Sequence, residues 1–225
     1  MTRIIFLSCI VVFFSAQATV FASLAEDVHA LVKKVDARYL EIQDLQADFT
    51  QETQIEGFDS RLASSGQVLL KKPGLLRWDY QKPSIEQILV EGDEVMWYVP
   101  EHQQVVQGNL TQMAASKAPL TLLQGAGKLG EQFDIAPSVE KEVGEGGLPI
   151  VMLMPKPKDQ ATSTVTRIHV MIHPKSYLMT QIMLFEKSGN ISTLRFSNIR
   201  ANQGVDASML KLTMPDDVVV IDSPM

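Results

Sequence analysis

The chain has 225 residues, a formal charge of −6 at pH 7, 45% hydrophobic residues and one cysteine, Cys9. Its basic residues come as short groups, Lys33-Lys34, Lys71-Lys72 and Lys156 with Lys158, each balanced by nearby acids. An acidic chain with no basic stripe is a poor match for nucleic acid or an anionic membrane face. About 200 residues suffice for one well-buried core, and a single all-β domain of that size is ordinary.

Arg3 precedes an apolar run, Ile4 to Phe14, shorter than the roughly 20 residues a spanning helix needs. Small-residue exits follow at Ala16-Gln17-Ala18 and Val20-Phe21-Ala22. This is the layout of a secretory signal peptide over residues 1–22, with residues 23–225 as one domain. The apolar run continues past Cys9, which argues against a lipidation cysteine. With the leader removed the charge becomes −7 (−6 less the positive charge of Arg3) and no disulfide is possible. A soluble protein outside the cytosol is expected.

Leu24, Val28, Leu31, Val32, Val35 and Tyr39 fall at helical spacing and predict a helix over 24–40, with Ser23 and Glu26 as a capping box. The period then changes to two. Leu45, Ala47, Phe49, Gln51, Thr53 and Ile55 alternate with polar residues, a long strand with one wet face. A second strand is expected over 62–72, turned by Pro73-Gly74 into 75–80, where Leu76, Trp78 and Tyr80 share a face. Strands over 87–90, 94–99 and 103–107 continue an antiparallel meander. Thr111–Leu123 interrupts it as a short aliphatic helix opened by Pro119 and stopped by the glycines of 125–130. Strands resume near 131–136, 148–154, 164–172, 177–186 and 191–199, and a short one over 218–222 ends the chain. A sheet of ten or eleven strands with two helical segments will tend to curl, and the helices are the material available to fill its concave face.

Chemical motifs are weak. Gly125-Ala126-Gly127-Lys128-Leu129-Gly130 spells G-x-G-x-x-G, but a dinucleotide fingerprint needs a strand before it and a helix after it, and here the order is reversed. His169 and His173 share a strand face but lie roughly 13 Å apart by strand rise, too far for one metal ion. No G-x-S-x-G elbow or other nucleophile-and-base set stands out. Neither catalysis nor a cofactor is expected; binding of something apolar is.

Four blocks carry a family resemblance. They are Ser65-Gly66-Gln67-Val68-Leu69-Leu70-Lys71-Lys72-Pro73-Gly74-Leu75-Leu76-Arg77-Trp78-Asp79-Tyr80 with Lys82-Pro83; Ile88-Leu89-Val90-Glu91-Gly92 with Val95-Met96-Trp97-Tyr98; Ala47-Asp48-Phe49-Thr50-Gln51; and Met214-Pro215-Asp216-Asp217-Val218. With Pro119-Leu120-Thr121-Leu122-Leu123 they make the chain similar to the LolA family of periplasmic lipoprotein carriers. That resemblance implies an unclosed β-barrel whose helices form a lid over an apolar cavity for acyl chains. It also implies an ATP-driven inner-membrane exporter, LolCDE, as donor and the outer-membrane receptor LolB as acceptor, with a monomeric carrier. The alternative it leaves open is a related half-barrel that binds another lipid or senses lipoproteins. In the family a basic residue holds the lid shut through backbone carbonyls, and Lys72 stands at the matching position, where the best-known members have Arg. Lysine is a point charge rather than a planar fork, so a looser latch is expected. The expected cavity lining is Phe49, Leu76, Trp78, Trp97, Leu120, Leu122 and Leu123. Each buried CH₂ contributes about 0.8 kcal/mol, so three chains of about 14 carbons represent on the order of 30 kcal/mol.

Overall fold

A computed structural model describes residues 15–109, 122–123, 128–138, 143–157 and 163–222, with backbone only over 15–27. It begins with one long helix, α1 (Ser15–Glu41). Six strands follow: β1 (Asp44–Gln54), β2 (Arg61–Lys71), β3 (Leu75–Lys82), β4 (Glu86–Glu91), β5 (Glu94–Val99) and β6 (Gln104–Asn109). A helical turn, α2 (Leu129–Gln132), leads into β7 (Phe133–Pro137), β8 (Val151–Pro155), β9 (Val165–Ile172), β10 (Met179–Glu186) and β11 (Ile191–Ala201). The last strand is β12 (Val219–Asp222).

All twelve strands form one sheet in the order β12-β6-β5-β4-β3-β2-β1-β11-β10-β9-β8-β7, with its ends unpaired to each other. The sheet is therefore an unclosed, mainly β structure, with more strands than the ten or eleven expected. Consecutive strands pair antiparallel, and the long β1 joins the two halves by pairing with β2 on one side and β11 on the other. The exception is β12, which runs parallel to β6. It reaches β6 after segment 202–218 has crossed the back of β2 and β3, so no hairpin fixes its direction.

Period-two alternation puts one row of each strand on the inner face. Leu45, Ala47 and Phe49 of β1, Val68 and Leu70 of β2, Leu76 and Trp78 of β3, and Ile88 and Val90 of β4 are all buried there. So are Val151 and Leu153, Ile168 and Val170, and Ile182 and Leu184 from the other half. Val28, Leu31, Val32, Val35 and Tyr39 of α1 belong to the same apolar cluster. One stripe of the helix thus covers the inner face, while Lys33, Lys34 and Ala37 stay in water. The outer face is more polar but carries a second small cluster, where Leu69 and Leu75 meet Val205 and Leu210, and the buried Leu89, Tyr98 and Val105.

Two local expectations are corrected. The helix begins at Ser15 rather than Leu24, so Ser23 lies inside it and is not an N-cap. No Gly or Pro occurs between residues 15 and 41, and Ala16, Ala18 and Ala22 are strong helix formers. The strand expected from residue 131 starts at Phe133, because Leu129–Gln132 forms α2. Leu129 is buried and its N–H donates to Asp36 Oδ1 of α1 at 3.1 Å, tying that turn to the helix.

Gly66 shows how tightly the inner face is built. It sits at a register shift between β2 and β3, and a Cβ there would lie 1.8 Å from the Asp79 carbonyl oxygen and 3.0 Å from Phe49 Cε1. The carbonyl belongs to the backbone and cannot step aside. Gly66→Ala is expected to lower stability by about 2 kcal/mol, read as a drop in the denaturation midpoint. An unchanged midpoint would mean that the strands can separate there freely.

Candidate functional site

The corner between β2 and β3 brings the sheet, α1 and the back segment together. Lys71 ends β2 and Lys72 follows it directly, and their side chains leave in opposite directions. Lys71 Nζ donates outward to the Val205 carbonyl at 2.6 Å. Lys72 Nζ donates to the Tyr39 carbonyl at 2.5 Å and the Leu40 carbonyl at 3.3 Å, in the last turn of α1. Those carbonyls belong to a helix C-terminus, which lacks internal partners and carries a partial negative charge, so a cation is well placed there. Partial desolvation of Lys72 pulls its pKa below the usual 10.5.

Tyr39 binds from both of its ends. Its carbonyl takes the Lys72 ammonium, and its hydroxyl accepts the backbone N–H of Met179 in β10 at 3.2 Å. The end of α1 is thereby pinned to both halves of the sheet. Burial pushes the Tyr39 phenol up to about 12. Just beyond, Asn202 secures the exit of the helix, with its Oδ1 accepting Gln43 N–H at 2.7 Å and its Nδ2 donating to the Glu41 carbonyl at 3.3 Å. The Asp44 carboxylate accepts the N–H groups of Gln203 and Gly204 at 3.0 and 3.1 Å.

Of the expected lining residues, Phe49, Leu76, Trp78, Leu122 and Leu123 are buried and belong to the inner-face cluster. Trp97 is half-buried against the same cluster, pairs with Ile88 across β4 and β5, and donates its indole N–H to Glu86 Oε2 at 2.9 Å. Leu120 lies outside the described residues. Phe49 and Trp78 pack with ring centroids 4.4 Å apart and planes tilted by 38°, and Tyr80 and Phe196 close round them edge-on to Phe49 and Trp78 respectively. Beneath the end of α1 lies a pocket of about 40 Å³, walled by Tyr39, Ile42, Leu45, Val68, Leu70 and Leu123 with Lys72 at its edge. An apolar cavity of about 150 Å³ is needed to admit benzene, so this one is too small for an acyl chain while α1 is seated.

The two histidines set aside at the outset stay apart from this site, and residues 125–127 of the glycine motif lie outside the described residues. His173 Nδ1 accepts N–H bonds from Lys175 and Ser176 at 3.3 and 3.1 Å within a turn, and His169 is buried against the Phe185 ring at 4.7 Å. Among the described residues no group of three or more His, Cys, Asp or Glu side chains could hold a metal ion. Tyr39 and Asn202 were not anticipated as anchors. A tyrosine on the apolar stripe of a helix was the available signal, since its hydroxyl needs a partner when buried.

An open curled sheet with one helix seated on its apolar inner face, fastened at one end by a lysine and a tyrosine, defines a half-barrel binding protein. Residues 41–213 match the family described as outer membrane lipoprotein carrier protein LolA, and the chain belongs to that family. It is 30% identical over 212 residues to an outer-membrane lipoprotein carrier protein of Pseudomonas aeruginosa, covering 92% of this chain and 96% of that one. A carrier of the same description from Methylococcus capsulatus is 30% identical over 178 residues, 79% of this chain and 81% of that one. Among solved structures, an uncharacterized conserved protein from Thermus thermophilus shares the fold, with TM-score 0.55 and 15% identity over 87% of this chain and 98% of that one.

The Lys72 contacts give a pH dependence with a definite sign. Desolvation in the seated state holds the Lys72 pKa below the 10.5 of a free lysine, so the seated state sheds the proton more readily than the released one. Rising pH therefore favours seating as it approaches 10.5, and Tyr39, pushed up to about 12 by burial, opposes this only above its ordinary 10. Exchange of the amides of α1, corrected for the intrinsic base-catalysed rate, is expected to slow as pH rises toward 10. In Lys72→Arg, where the guanidinium stays charged, that slowing should vanish. Identical profiles for the two proteins would show that titration of Lys72 is not coupled to seating of the helix.

Proposed function

We propose that this chain is a periplasmic carrier that receives lipoproteins leaving the inner membrane, shields their acyl chains against the inner face of its half-barrel and passes them to an outer-membrane receptor. The observation that carries the reading is the cover: an apolar inner face roofed by α1, whose last turn accepts hydrogen bonds from Lys72. Family membership and the carrier relatives support the direction of traffic, with LolCDE as the proposed donor and LolB as the proposed acceptor. The leader-like residues 1–22 support export to the periplasm.

Magnitudes decide how the cover works. Five α1 side chains, Val28, Leu31, Val32, Val35 and Tyr39, are buried beneath it. At about 2 kcal/mol each, their apolar contacts amount to on the order of 10 kcal/mol. The charged hydrogen bonding of Lys72 contributes about 1.5–3 kcal/mol. Apolar contact thus holds the helix down, and Lys72 adjusts the balance. Three acyl chains of about 14 carbons, on the order of 30 kcal/mol, outweigh the helix and displace it. Contact between the chains and the freed helix face returns part of the difference. Binding is then strong enough to cross water and weak enough to reverse at a competing cavity.

The direct test is binding of an apolar fluorescent probe to the delipidated protein, with displacement by a triacylated peptide. Wild type is expected to bind the probe and release it to the peptide. Leu76→Glu, which puts a carboxylate on the inner face, is expected to bind at least about tenfold more weakly. Failure of the folded wild type to bind either molecule would overturn the carrier reading.

A further inference from the structure

The inner face carries one polar feature that closure does not explain. Among the described residues, Trp78 Nε1 is buried with no hydrogen-bond partner, and the residue as a whole is 1% exposed. A buried donor left unpaired costs about 1–3 kcal/mol, so such groups are rare in folded proteins and call for a partner. The polar side chains nearest to it make hydrogen bonds of their own. The Tyr80 hydroxyl donates to Gln51 Oε1 at 3.0 Å, Gln51 Nε2 donates to Thr53 Oγ1 at 3.3 Å, and Glu86 Oε2 takes the Trp97 indole. The Tyr80 hydroxyl oxygen keeps acceptor capacity and lies close enough for the Trp78 N–H to favour the ionised phenol, but with α1 seated the pair falls short of hydrogen-bond geometry.

Water is a poor partner here. A buried water needs two to four polar groups, and Trp78 is surrounded by Phe49, Phe196, Val68 and Ile88. What fits is a group with one strong acceptor and otherwise apolar surroundings. Val68, directly across β2 and β3 from Trp78, also walls the small pocket beneath α1, so a chain entering there passes beside the indole. Polar residues on the same face lie further along the strands, at Gln51, Thr53 and Ser192, with Thr53 Oγ1 and Ser192 Oγ 2.9 Å apart. The inner face therefore grades from apolar to polar with Trp78 and Tyr80 at the boundary.

We infer that Trp78 Nε1 is a subsite for a carbonyl oxygen of the ligand, the ester or amide carbonyl that joins an acyl chain to its head. This rests on the carrier reading and adds to it a means of sensing the linkage as well as the chain. Pairing that oxygen satisfies a donor that the seated state leaves without a partner. The site therefore favours acyl chains over hydrocarbon of the same length, and sets how deep the linkage sits.

Ester-linked and ether-linked lipids test this, because they match in chain length and head group and differ in the carbonyls. Affinities of delipidated wild type and Trp78→Phe for a dimyristoyl phosphatidylcholine and its dialkyl-ether counterpart would be measured side by side. Wild type is expected to favour the ester form by about tenfold, and Trp78→Phe to bind both forms equally. Packing lost on removing the larger ring lowers both affinities together, so the ester-to-ether ratio reports the hydrogen bond alone. Equal binding of the two lipids by wild type, or an ester preference that survives in Trp78→Phe, would overturn the subsite and leave the carrier reading standing. Binding of neither lipid by wild type would overturn both.

Discussion

An open sheet of twelve strands has an apolar inner face that no partner sheet covers, and everything else in the molecule follows from having to bury it. Closing the barrel would bury that face permanently. Leaving it bare would expose a patch far larger than soluble proteins tolerate. The solution among the described residues is a helix, α1, whose apolar stripe is laid across the inner face beside Leu122, Leu123 and Leu129, with both β7 and β12 at the edges of the sheet. Such a cover is separable from what it covers, because it joins the sheet through one short exit at residues 42–43 rather than through a shared hydrogen-bond ladder.

Separability shifts the energetics to the two ends of the contact. Along its length α1 is held by non-directional apolar contact, which on the proposed reading an acyl chain replaces group for group. At its end it is held by directional bonds, from Lys72 and Met179 to Tyr39 and from Asn202 to Glu41. A chain cannot replace these. On the same reading the end of the helix near Tyr39 serves as the fixed point, and the part over the inner face exchanges contacts. Lysine at position 72, giving point-charge bonds to two carbonyls, makes that fixed point weaker than a guanidinium fork would.

Much of this was legible in the chain. Alternation in 45–56 and 62–72 named the buried rows correctly, and the helical spacing of Val28, Leu31, Val32, Val35 and Tyr39 named the stripe that covers them. The parity of Val68, Leu70 and Lys72 placed the lysine on the inner face, where it meets the carbonyls of α1. Three features were less accessible. The N-terminal extension of α1 depends on the absence of a helix breaker before residue 24, a weaker signal than a cap motif. The parallel pairing of β12 depends on the path of segment 202–218 over the back of the sheet, fixed by contacts such as Arg77 Nη1 to the Met209 and Lys211 carbonyls. The pocket's small size depends on how far α1 sinks into the sheet, which no periodicity encodes.

The central claim is that α1 gives way to acyl chains over the inner face. The most direct measurement is the distance between spin labels at Lys33→Cys on the exposed side of α1 and Thr50→Cys on the outer face of β1, in protein lacking the Cys9 segment, with and without a triacylated peptide. A single short distance without peptide that lengthens and broadens on loading is the predicted result. A distance unchanged when the peptide is demonstrably bound would contradict the account, and would place the acyl chains somewhere other than beneath the helix.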